Sequence, residues 1–147
     1  MALTRGIKNN NPANIRRSAS KWLGLSYIQS DKQFCQFISM SYGIRAFFML
    51  MRTYRYKYHC MTPRSILTRF APASENNLDA YIRFIESKGL PADLKFTSNA
   101  IYCIFARLVF IYESNYSVPS YFLKSVMDDL KCYVVNEKKE CKEQSFF

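Results

Sequence analysis

Residues 98–115 read SNAIYCIFARLVFIYESN, and this stretch decides the fold. Ile101, Ile104, Phe105, Leu108, Val109 and Ile111 recur at helical spacing and cover almost the whole circumference, which marks a buried central helix. Ser98 offers the side-chain oxygen that a helix N-terminus needs, so the helix is expected to run from Ser98 to about Tyr112. Ser114-Asn115-Tyr116 then opens a polar turn, with Glu113 at the seam.

Working outward, other helices should wrap this one. Ser74 is placed to cap a helix from Glu75 to Lys88, with Leu78, Tyr81, Ile82 and Ile85 on its inner face and Gly89 as its stop. Thr62-Pro63 is a cap followed by a proline at the first helical position, opening a short helix to about Phe70 that Ala71-Pro72-Ala73 breaks. Ser41 caps an expected helix to about Tyr58, with Ile44, Phe47, Phe48, Met51 and Tyr54 on one face. After Ser117 to Pro119 a last helix is expected through about Tyr133. Residues from Arg5 to Asp31 are rich in asparagine and read as loop, because Asn side chains compete for local backbone and Pro12 lacks a donor. Gln33 to Ile38 partly alternates and reads as a short strand, one of a strand pair near residues 25 to 38. The expectation is a mainly α (α+β) single domain over residues 1–135, followed by a charged flexible tail at 136–147.

The length of 147 residues suits one domain with a real core, and scarce Gly (4) and Pro (5) favour helices over a turn-rich β-sandwich. The net charge of +10 is unevenly spread: 12 Lys/Arg face one acid, Asp31, up to Phe70, whereas 9 basic and 10 acidic residues follow. A basic half favours a polyanionic partner, either nucleic acid, an anionic membrane or an anionic cell wall; scattered solvating charge is the plain alternative. Lys and Arg do not cluster on one helix face and no nucleic-acid motif is present, so nucleic acid is the weaker of these readings. The five cysteines (Cys35, Cys60, Cys103, Cys132, Cys141) contain no Cys-x-x-Cys pair and read as reduced thiols. With His59 the only histidine, a His-based metal cluster is excluded, and no cofactor is expected. Met1 to Asn14 has no apolar core of signal-peptide length, and no run approaches the roughly 20 apolar residues of a membrane span. The expectation is a product made in the bacterial cytoplasm without a signal peptide.

The chemistry is concentrated at Glu113. A carboxyl group at the rim of an apolar helix is partly desolvated, which favours its neutral form and lets it hold a proton for general-acid work, as glycoside cleavage requires. An ordinary solvated helix-terminal acid is the competing reading. Glu75 and Asp79, one turn apart, either complement a helix dipole or supply a second carboxyl group and a sugar contact. Asn11, Asn14, Trp22, Tyr27 and Tyr42 suit carbohydrate, although the same residue types make turns and cores.

A longer pattern joins these residues. Residues 5–16, RGIKNNNPANIR, resemble the GIRNNNPGNIR opening of a family of phage and prophage structural or lytic proteins. Trp22-x-Gly24, Phe34-x-x-Phe37, Tyr42-Gly43-Ile44-Arg45-Ala46, the run from Arg69 to Asn77 with Tyr81-Ile82, and Ile111 to Asn115 are similar to further motifs of that family, in order. Ala13 stands where the family has Gly, and Tyr112 where it has His. The resemblance implies a lysozyme-like domain, with a circularly permuted order relative to bacterial autolysin glucosaminidases. It implies action on peptidoglycan at the cell wall or in the virion, with other virion proteins as further partners. It implies Glu113 and Glu75 as catalytic candidates, and Asn11, Asn14, Arg16, Tyr42, Asn76, Asp79 and Tyr81 as substrate-binding candidates. A virion protein that kept the fold without catalysis, and a nucleic-acid-binding protein, stay open as alternatives.

Overall fold

The computed structural model describes residues 3–137. Six helices follow in order: α1 (Arg5–Lys8), α2 (Met40–Tyr58), α3 (Pro63–Phe70), α4 (Leu78–Ser87), α5 (Asn99–Ser114) and α6 (Ser120–Leu130). The molecule is mainly α, as the apolar periodicity requires. Helix α5 is the hub and touches α1, α2, α4 and α6. Its residues Tyr102, Phe105, Ala106, Val109 and Phe110 are fully buried. Phe47 of α2 packs edge-on against Phe110, with ring centroids 5.3 Å apart, and Phe96 packs against Phe105 at the same distance.

Caps set the helix ends. The Ser98 side chain accepts from the Ile101 amide, and the Asn115 backbone turns left-handed (φ 52°) to close α5, so Glu113 lies in its last turn, at the end of the buried helix as expected. At α3 the Thr62 and Ser65 side chains satisfy each other's backbone amides in a capping box. Two expected starts move. Helix α4 begins at Leu78, because Asn77 rather than Ser74 caps it, and residues 72–76 are held instead by turns in which the Glu75 and Asn76 amides both donate to Pro72 O. Helix α2 is preceded by Ser39, not Ser41, and that serine makes no side-chain cap.

The N-terminal third departs most from expectation. A one-turn helix, α1, stands inside the expected loop, capped by Thr4. The expected strand pair near residues 25 to 38 is reduced to two isolated antiparallel bridges, Arg16 with Phe34 and Leu25 with Phe37. The reason is chemical: Gln29 both donates to Gln36 O and accepts from its amide, and Gln36 Oε1 accepts from the Ser30 and Asp31 amides. Side-chain amides thus take the places of ladder bonds. This lobe is locked to α2 where Gly43 meets the Asn10 carbonyl so closely that any β-carbon there would collide with backbone. At the other end, Asn136 and Glu137, expected to belong to a free tail, are held: the Tyr56 hydroxyl accepts from the Asn136 amide, and Glu137 Oε1 accepts from the Asn99 amide at 2.8 Å. The remainder of the expected tail, residues 138–147, lies outside the described residues. No helix among the described residues is long and apolar enough to cross a membrane.

Candidate active site

Two hydrogen bonds across the whole chain build the site. The Thr4 hydroxyl donates to Ser114 O at 2.6 Å, and the Ser114 hydroxyl donates to Pro12 O at 2.8 Å. Gly6 lies directly against Ser114, with no room for a β-carbon. The N-terminal turn is thereby fastened to the last turn of α5. Asn14, in the left-handed region (φ 52°), is delivered beside Glu113. Its Nδ2 donates to Glu113 O at 3.1 Å and reaches Glu113 Oε1 at 3.4 Å.

Glu113 is half-buried and lines a cleft of about 340 Å³. Burial pushes its carboxyl up from the ordinary glutamate range, while Tyr81, Asn14 and the positive charge of Arg16 pull part of the way back. Asn14, Arg16, Trp22, Phe34, Arg69, Phe70, Glu75 and Asn76 line the cleft, with Leu50 and Tyr54 of α2 also contributing. Arg16 Nε and Glu75 Oε2 are 3.5 Å apart, an exposed ion pair at the cleft. The Arg69 guanidinium lies 3.4 Å from the centre of the Tyr58 ring. The surface is therefore a mixture of amides, aromatic faces and paired charges around one desolvated acid, which suits a polar ligand with apolar ring faces.

Of the residues singled out from sequence, Glu113, Glu75, Asn14, Arg16, Trp22 and Asn76 meet in this cleft. Five lie elsewhere, Tyr27 among them as a fully exposed side chain. Asn11 is fully buried: its Nδ2 donates to Ile15 O and Cys35 O, and its Oδ1 accepts from the Ile15 amide, each at 2.9 Å. It shapes the loop and has no reach to a ligand. Tyr42 packs over Gly24, whose positive φ of 80° and missing β-carbon admit the ring. Asp79 is exposed in the first turn of α4, where it complements the helix dipole. Tyr81 is fully buried, so it lies under the cleft and not in its lining. Sequence reasoning passed over Phe34, Tyr54, Arg69 and Phe70 as cleft residues. Phe34 and the Arg69-Phe70 pair stood inside quoted motifs, which was the available signal; Tyr54 was hidden by its place on an apolar helix face.

The Asn9 side chain reaches a second carboxylate, Asp31. This acid accepts two bonds from Arg5 at 2.6 Å, one from Asn9 Nδ2 at 3.0 Å, and bonds from the Gln33 and Phe34 amides. The Arg5 guanidinium holds it far below the usual aspartate range. Arg5 also lies over the Phe34 ring, 4.6 Å from its centre, so this cluster braces one wall of the cleft.

Comparison with known proteins gives two findings. No family model matches the chain. Protein P5 of Pseudoalteromonas phage PM2 is 32% identical over 109 residues, covering 71% of this chain and 68% of that protein.

Proposed function

This chain belongs to the family of protein P5 of Pseudoalteromonas phage PM2, and from that premise we propose that it is a lysozyme-like phage protein that cleaves the glycan strand of peptidoglycan, with Glu113 as general acid. The observation that carries the proposal is a single half-buried carboxyl group, raised in pKa, in a cleft lined by amides and aromatic rings. The resemblance of residues 5–120 to phage lytic and structural proteins supports the same reading.

In this reading a β-1,4-linked glycan lies in the cleft with ring faces against Trp22 or Phe70, and Arg16 and Arg69 attract the anionic wall. Glu113 gives its proton to the glycosidic oxygen as the bond to the anomeric carbon breaks. The oxocarbenium-like centre is then captured either by the sugar's own 6-hydroxyl or by water. Glu75 is the carboxylate able to activate that water, since it lines the cleft and Asp79 does not. The protein acts at the cell wall or within the virion. The second reading, a virion protein that binds wall without cutting it, is favoured by one observation: Glu75 is engaged by Arg16 and does not stand free for a base.

The deciding experiment sets wild type beside Glu113→Gln and Glu75→Gln on purified peptidoglycan, with mass analysis of products. Glu113→Gln keeps the shape and removes the proton, so clearing should fall by about 10²-fold or more, within the span of general-acid contributions. Anhydro ends on the products indicate transglycosylation and reducing ends hydrolysis. Clearing by Glu113→Gln at the wild-type rate refutes the assignment. Binding without clearing by wild type establishes the second reading.

A further inference from the structure

A group that donates a proton changes its hydrogen-bonding needs as it does so. Protonated, it requires an acceptor for its O–H; ionised, it requires donors. Two buried polar atoms beside Glu113 have no hydrogen-bond partner among the described residues: Asn14 Oδ1, an acceptor, and the Tyr81 hydroxyl, able to donate. Buried polar groups are seldom left this way, and two on residues that flank one acid call for an account. The Tyr81 side chain is fully buried and cannot turn to solvent. Its ring is stacked on Tyr112, the residue preceding Glu113, at 3.8 Å between centroids and 25° between planes, and Phe84 closes on Tyr112 at 5.2 Å. The phenol is thus fixed in place near the Glu113 carboxyl group, close enough to pull its pKa down. Asn14 Nδ2 reaches Oε1 only at 3.4 Å.

Resting on the reading of Glu113 as the acid, we propose that Tyr81 is its positioning residue: the Tyr81 hydroxyl, sealed beneath the cleft, donates to the Glu113 carboxylate once the proton has left for the leaving oxygen, and it makes no contact with glycan. The other groups bearing on Glu113 are Arg16, whose charge is shared with Glu75, and Asn14, which lines the cleft. None of these duplicates Tyr81, because Arg16 acts through distance and Asn14 from the cleft wall. Tyr81 itself stays a phenol, since burial and the nearby Glu113 charge both raise its pKa well above the ordinary tyrosine value.

The test is a titration of Glu113 by carbon-13 NMR of glutamate-labelled protein, with its resonance assigned by its loss in Glu113→Gln. Tyr81→Phe retains the stacked ring and removes the donor. The Glu113 midpoint should then move to higher pH, and the alkaline limb of peptidoglycan clearing should move with it, with a loss of rate of no more than about tenfold. Replacing Tyr81 with 3-fluorotyrosine, a stronger donor of the same shape, should move the midpoint to lower pH. This second arm decides the matter should Tyr81→Phe fail to fold. An unchanged midpoint overturns the proposal. The NMR arm needs no turnover, so a wild type that never clears peptidoglycan sinks the glycosidase reading while leaving the test of Tyr81 intact.

Discussion

Asp31 and Glu113 are both carboxyl groups met by an asparagine from the same N-terminal turn, Asn9 in one case and Asn14 in the other, and they are in opposite conditions. Asp31 is saturated with donors, and Arg5 neutralises it. Glu113 is half-buried, is reached by one long hydrogen bond, and has two unpartnered polar atoms close by. The saturated acid fixes a loop and is held ionised, whereas burial with few donors holds the other toward its neutral form. Burial and hydrogen-bond supply together set the two carboxyl groups apart.

The comparison breaks most severely at the saturated end. Asn11→Ala would strip three buried backbone bonds from the knot that supports both regions, leaving the Ile15 amide and the Cys35 carbonyl unpaired, while Ile15 O keeps the Cys35 amide. A loss of about 3 kcal/mol or more is expected by denaturant titration, since each stranded buried group costs roughly 1–3 kcal/mol. A loss below about 1 kcal/mol would mean that the knot is not what fastens the loop. Next in size is the acid response. Because Asp31 has its pKa depressed in the folded state, its stabilisation is complete above the ordinary aspartate range and disappears as pH falls through that range toward the folded value. Thermal melts should show wild type losing stability on acidification, and Asp31→Asn, already several degrees less stable at pH 7, losing less. Parallel acid limbs for the two proteins would remove Asp31 from the account.

The smallest effect has the opposite sign. Glu113 has its pKa raised on folding, so its ionisation opposes the folded state as pH rises from the ordinary glutamate range through the raised value. Glu113→Gln should therefore melt at the same temperature as wild type or slightly higher at pH 7, while wild type gains on it as pH falls from the raised value into the ordinary glutamate range. A variant that is less stable at pH 7 would show the acid to be held in place for structure.

How much of this was legible in the chain depends on the range of the interaction. The central helix and its cap were plain, because apolar spacing over residues 98–113 and a serine at its head are local signals. The start of α4 was misplaced by local rivalry: Ser74 and Asn77 are both good caps, and the turns accepting at Pro72 decide between them. The strand at Gln33 to Ile38 failed for a related reason, since Gln29 and Gln36 satisfy the backbone with side-chain amides that alternation does not register. In the cleft, Glu113, Asn14 and Glu75 come together as residues singled out by chemistry and resemblance, but the burial of Asn11 and Tyr81 depends on distant segments and left no local trace.

The bonds that bring Thr4 and Pro12 to Ser114 span 110 and 102 residues, and they carry a consequence for synthesis. A ribosome adds about 5–20 residues per second, so the N-terminal turn waits on the order of ten seconds before its partner exists. During that interval Asn14 has no acid to meet, and a product cut short before Asn99 has no α5 at all. The cleft around Glu113 thus assembles in one step, once α5 exists and the N-terminal turn closes on it.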